Sequence, residues 1–214
     1  MPASLLHFLL LHVAAPFDGT SVCCQDGCSR NRSVRKEVVV IAVTDTGVVR
    51  MRVSKAVGVQ DGEFNAHFMV LDELDGDRHL VIPVCQAQAF DLAASLQGWQ
   101  LGRPLTYQFT AALVRGLDGR VVDVTLDRIV LEVAYAATVK VEGPQRTALV
   151  DARASDALNL AVLTDAPVFA APDVLAYCTG RQAGDSAEAT LMRRAVTAHP
   201  VTIGRVDRRE DACE

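Results

Sequence analysis

Two short segments of this chain hold most of the side chains that could do chemistry. In Val150-Asp151-Ala152-Arg153-Ala154-Ser155-Asp156, two carboxylates, a guanidinium and a hydroxyl crowd the junction between an apolar strand and a helix. A helix N-terminus presents unpaired N–H groups and favours anions, and an Arg beside it can fork onto a phosphate. The carboxylates can instead pair with Arg153 and Arg103, or hold a divalent ion such as Mg²⁺. A purely architectural alternative has Ser155 capping the helix, Asp156 complementing its dipole and Arg153 bridging Asp151. The second segment, Gly102-Arg103-Pro104-Leu105-Thr106-Tyr107-Gln108, leads into another helix. Arg103 can bind phosphate or pair with an acidic neighbour, and Tyr107 can pack or act. The residues alone give two candidate anion-binding corners and no catalytic assignment.

Other chemistries are poorly represented. No Walker loop, G-x-G-x-x-G, H-E-x-x-H, G-x-S-x-G or EF-hand pattern occurs. His67, His79 and His199 are isolated from one another, and His7 and His12 fall in an irregular N-terminal stretch. Of the six cysteines, Cys23, Cys24 and Cys28 are grouped, whereas Cys85, Cys178 and Cys213 are scattered. There is no C-x-x-C pair. A zinc site would need a fourth ligand from far away, so free thiols are the plainer reading and a redox or metal sensor the weaker one.

The elements that must position the two segments follow from periodicity. Residues 49–60 alternate apolar with polar and read as a strand, closed by Asp61-Gly62. Two more strands, 67–73 and His79–Val84, flank the turn Asp75-Gly76-Asp77. An Ala-rich helix, Gln86–Leu96, ends at Gly98; a second, 106–117, is opened by Pro104. Strands are expected at 120–126, 129–141 and 147–151, a third helix at 155–163 and a closing strand at 167–171. Strands in runs followed by helices imply an α+β fold, a largely antiparallel or mixed sheet carrying about three helices. Residues 49–176 are expected as one domain between an atypical N-terminal extension (1–48) and a charged, mobile tail (177–214) with a weak helix around 187–197.

Composition excludes several classes. The 214 residues are 50% hydrophobic and 22% charged, enough for a core, and no apolar run is long enough to span a membrane. The expectation is a cytoplasmic protein without membrane attachment. The formal charge is −5, and residues 51–175 hold 16 acidic against 10 basic side chains. An acidic domain without a basic stripe disfavours tight non-specific binding to long duplex DNA. Residues 5–15 form an apolar run of signal-peptide length, but no Lys or Arg precedes it. Because regular patterning starts at Met51, residues 1–50 are expected to be an added extension or a misassigned start.

At the two polar segments the chain resembles the bifunctional nuclease domain family. The resemblance covers roughly residues 51–175. The family's opening M-x-x-V-type strand is matched by Met51-Arg52-Val53-Ser54-Lys55-Ala56-Val57, and its L-P-I-x-I-G-x-x-E-A-x-A-I stretch by the thirteen residues from Leu80 to Leu92 without gaps. The family's R-P-x-T-H-D appears as Arg103-Pro104-Leu105-Thr106-Tyr107-Gln108. Its V-D-A-R-P-S-D-A-I-A-L-A appears as the twelve residues from Val150 to Ala161. The resemblance implies an α+β fold, hydrolysis of RNA or DNA phosphodiesters, and self-association. It implies Asp151, Arg153, Ser155 and Asp156 as the catalytic group. Arg103, Thr106, Tyr107 and Gln88 would meet the nucleic acid, and Asp151 and Asp156 would hold any Mg²⁺. The family's glutamate, histidine and aspartate stand here as Gln88, Tyr107 and Gln108, which removes the acid/base and metal-ligand types that hydrolysis draws on. The alternative it leaves is a catalytically impaired relative, a regulatory or interaction module with an anion pocket.

Overall fold

A computed structural model of the chain describes residues 47–62, 64–99, 102–130 and 134–203. The cysteine group at 23–28 and the apolar run at 5–15 lie outside the described residues. The element order is β1 (Val49–Asp61), β2 (Phe64–Glu73), β3 (His79–Val84), α1 (Gln86–Leu96), α2 (Thr106–Gly116), β4 (Arg120–Val130), β5 (Ala134–Glu142), β6 (Thr147–Arg153), α3 (Ala154–Thr164), β7 (Val168–Ala170), α4 (Pro172–Ala183) and α5 (Ala187–Thr197). One seven-stranded sheet runs β3-β2-β1-β7-β4-β5-β6. Every neighbouring pair is antiparallel except β4 with β7. The fold is therefore α+β with a mixed sheet, as expected, but it carries five helices.

Runs of consecutive buried residues in β2 (Phe68, Met69, Val70, Leu71) and β3 (Leu80, Val81, Ile82) show that both faces of these strands are covered. The turns expected at Asp61-Gly62 and after α1 use left-handed glycines, Gly62 at φ 59° and Gly98 at φ 66°. The break expected near residue 127 is instead a bulge inside β4. Leu126 faces Ala137 while Arg128 faces Ala136, so Asp127 is the inserted residue. The ladder continues to Val130, so residues 129 and 130, expected in the following strand, belong to β4.

Residues 177–203 are folded. The expected boundary at 176/177 falls inside α4, and the helix expected around 187–197 is α5. Val174, Leu175 and Cys178 of α4 and Met192 and Ala195 of α5 join the buried core. Helix α4 lies along the free edge of β3: Val81 N–H donates to Cys178 Sγ (3.3 Å) and Gln182 Nε2 donates to the His79 carbonyl (2.9 Å). An edge that would otherwise invite pairing is thus covered. The opposite edge, β6, has no such cover from a helix of the described residues, and Val150 there is 46% exposed.

Candidate functional site

Three helices begin at one corner. Each starts from an extended residue, Cys85 for α1, Leu105 for α2 and Arg153 for α3. Gln88 and Gln108 occupy the third helical position of α1 and α2. Each accepts from the backbone N–H that opens its own helix, at 3.2 Å from Cys85 and 3.0 Å from Leu105. This is the reach-back half of a capping box. A neutral amide supplies that acceptor as well as a carboxylate would, so the cap tolerates glutamine at both positions.

The helices are then stitched to one another. Gln88 Nε2 donates to Ser155 Oγ (2.8 Å), joining α1 to α3. Tyr107 Oη donates to Asp156 Oδ1 (2.6 Å), joining α2 to α3. Arg153 clasps the same carboxylate with Nε (2.6 Å to Oδ2) and Nη2 (3.1 Å to Oδ1). Beneath them Asn159, fully buried, donates to the Ser155 carbonyl (2.9 Å). Leu92 of α1 and Leu158 of α3 are fully buried in the common core. Each burial is worth about 1.5–3 kcal/mol and helps fix where the helix ends meet.

This arrangement corrects several expectations. Ser155 is not the cap of α3; Arg153 occupies that position, and Ser155 is a buried bridge to Gln88. Arg153 pairs with Asp156, not with Asp151. Asp151 points elsewhere. Val150 and Ala152 line a cleft beside α2 and α3, so strand alternation sends Asp151 to the other face of β6. There it pairs with Arg128, which also reaches Asp127 (3.0 Å), while Thr138 donates to Asp127. Asp151 and Asp156 therefore do not face a common ion. Among the described residues no group of three or more His, Cys, Asp or Glu is placed to hold a metal. Arg103 is exposed, with no ion pair among the described residues, in the segment that leads into α2. Thr106, the first residue of α2, lines the cleft with Tyr107.

The electrostatics follow from this wiring. Burial pulls the Asp156 carboxyl up, but hydrogen bonds from Arg153 and Tyr107, the Arg153 charge and Gln88 together hold it below the ordinary carboxylate value. For Tyr107, burial, the bond to Asp156 and the charges of Asp156 and Asp91 push the hydroxyl well up, against the pull of Arg153. It is a proton donor at neutral pH, not a base. Asp91 is the residue that sequence reasoning passed over. It lies one turn beyond Gln88 on α1, and burial raises its carboxyl above the ordinary value. The i,i+3 spacing from Gln88 was the available clue. Arg128 and Asn159 were also missed, because their partners lie on other elements or one helical turn away inside the core.

The sequence from 69 to 182 matches the family model described as the bifunctional nuclease domain, just over half of the chain, and the match runs to the penultimate residue of α4. The chain belongs to the bifunctional nuclease domain family. Two relatives from Mycobacterium tuberculosis, uncharacterized protein MT1877 of strain CDC 1551 / Oshkosh and uncharacterized protein Rv1829 of strain ATCC 25618 / H37Rv, are each 30% identical over 117 residues. That alignment covers 52% of this chain and 66% of each relative, slightly under two thirds. In this bifunctional nuclease domain the converging helix ends, Tyr107, Arg153 and Asp156 all fall inside the matched segment. Among the described residues no helix is long and apolar enough to cross a membrane.

Proposed function

We propose that this member of the bifunctional nuclease domain family binds the phosphodiester backbone of nucleic acid at the corner where α1, α2 and α3 begin, and that its cleavage chemistry is impaired. Family membership supports a nuclease-like role and nucleic acid as the partner. Three helix N-termini supply partial positive charge and free N–H groups. Arg153, its side chain 74% exposed, and Arg103 add guanidinium groups. One observation carries the impairment: Asp156 and Asp151 each already have a guanidinium of their own, Arg153 and Arg128, on different sides of β6. Among the described residues Asp151 and Asp156 therefore do not meet to hold Mg²⁺, and Tyr107 gives its proton to Asp156 in a hydrogen bond.

A second reading, an active nuclease, has one observation in its favour. The half-buried Asp91, whose carboxyl is raised, has the property of a general acid or base. For the self-association that the resemblance implies, the exposed Phe109 and Leu113 of α2 and Leu117 just after it offer an apolar surface; sedimentation of Leu113→Glu against the parent tests it.

The test of the binding reading is fluorescence anisotropy with a labelled single-stranded oligonucleotide. Arg153→Ala should weaken binding about tenfold, the effect expected of one strong charged contact worth about 1.4 kcal/mol. Arg128→Ala should leave it unchanged. Equal loss in both variants, or in neither, would contradict a site at this corner.

A further inference from the structure

We infer that the cleft opening from this corner seats the base of a nucleotide, which makes the ligand single-stranded nucleic acid or a free nucleotide and excludes a paired duplex. The inference rests on the backbone-binding reading above and adds the identity of what lies next to the phosphate.

The cleft has a volume of about 420 Å³ and lies between α2, α3 and strands β5 and β6. Its two ends differ in chemistry. Tyr107, Arg153 and Asp156 stand at one end, whereas the walls are aliphatic, built from Val139 and Val141 of β5, Ala152 of β6 and Leu160 of α3. A nucleotide has the same polarity: a charged phosphate at one end and a flat, weakly polar ring at the other. The volume lies within the roughly 300–1,000 Å³ of pockets that enclose small ligands. The bonds of Arg153 to Asp156 use Nε and Nη2, so among the described residues its Nη1 has no hydrogen-bond partner. A phosphate held there places the attached sugar and base at the apolar walls.

Access selects the strand state. A base inside a duplex shows a protein only its edges and must leave the stack before its faces can be buried. The walls of this cleft offer aliphatic surface and the Tyr107 ring, which suit a ring face and not a row of base-pair edges.

Isothermal titration of the full chain with uridine and adenosine monophosphates, beside inorganic phosphate, tests this. The monophosphates should bind at least tenfold more tightly than phosphate. Thr110→Trp, which places an indole in the cleft from α2, should erase that advantage so that both ligands bind alike. Val150→Trp fills the same cleft from the exposed edge strand and serves if Thr110→Trp misfolds. A single-stranded decamer should outcompete its duplex. Monophosphates that bind no better than phosphate, or keep their advantage in both tryptophan variants, would overturn the base cleft while leaving the phosphate corner intact. Absence of binding by phosphate, monophosphates and decamer alike would overturn the corner and the cleft together. A parent dimer that the tryptophan variants dissociate, with nucleotide binding unaltered, would assign the cleft to a side chain of a second copy and overturn the inference.

Discussion

Asp151 and Asp156 stand five residues apart, equal in the sequence, yet the fold places them in opposite circumstances. Asp156 sits at the start of α3, half-buried, held by Arg153 and Tyr107. Asp151 projects from the last strand to the other face, with 76% of its side chain exposed and a single exposed partner, Arg128. The strand-to-helix switch between them is the cause. In a strand, neighbours alternate faces, and Val150 and Ala152 take the cleft side; in the helix that follows, Asp156 turns back toward α2. Two carboxylates spaced for a shared ion in a list of residues are thereby assigned to two separate ion pairs. Close spacing across an element boundary is weak grounds for a metal site.

The largest test of this contrast is stability. Removing Asp156 strips Tyr107 and Arg153 of their shared acceptor, so Asp156→Ala should cost about 1.5–3 kcal/mol in urea unfolding. Asp151→Ala breaks only an exposed pair and should cost less than about 0.5 kcal/mol. Equal losses would erase the distinction. Next comes Tyr107→Phe, which deletes one hydrogen bond to the carboxylate and should cost about 1 kcal/mol by the same measurement.

pH separates the two carboxylates more finely. The Asp156 carboxyl is held below its ordinary value of 3.8. Its ionised form is therefore favoured by folding: the contribution is complete above the unfolded-state value and disappears as pH falls through the lower folded value. The stability gap between the parent and Asp156→Asn should be constant from pH 7 to 5 and shrink below pH 4. A gap that widened on acidification would mean the carboxyl is raised instead. Smallest of all, Arg153→Ala should reduce the salt dependence of single-strand binding by about 0.7 in the log–log slope, the share of one phosphate contact.

The fold was largely legible because its strands and helices carry local signals. The apolar runs of β2 and β3, the Asp75-Gly76-Asp77 turn and the Ala-rich α1 all announce themselves within a few residues. Helix α4 did not. Its middle holds Tyr177, Cys178, Thr179 and Gly180, a run of weak helix formers, and packing of Val174, Leu175 and Cys178 against the core supplies what propensity does not. The site was legible as a set of residues but not as a circuit. Gln88 meets Ser155 across 67 positions and Tyr107 meets Asp156 across 49, distances over which pattern carries no information. The strand alternation that removes Asp151 was readable in principle. It required knowing that the cleft lies on the side of Val150 and Ala152.

The central claim is a nuclease-family corner that grips nucleic acid while Asp151 and Asp156, held in separate ion pairs, do not combine to cut it. Its most direct test is incubation of labelled single-stranded RNA and DNA with the full chain, in Mg²⁺, in Mn²⁺ and in EDTA. Parallel reactions would use Asp91→Asn, Asp151→Asn and Asp156→Asn. The account predicts binding that is insensitive to the metal and weakened by Arg153→Ala, with no metal-dependent product in any reaction. Metal-dependent cleavage that Asp151→Asn and Asp156→Asn both abolish would contradict it, since two side chains on opposite faces of β6 would then be serving one reaction.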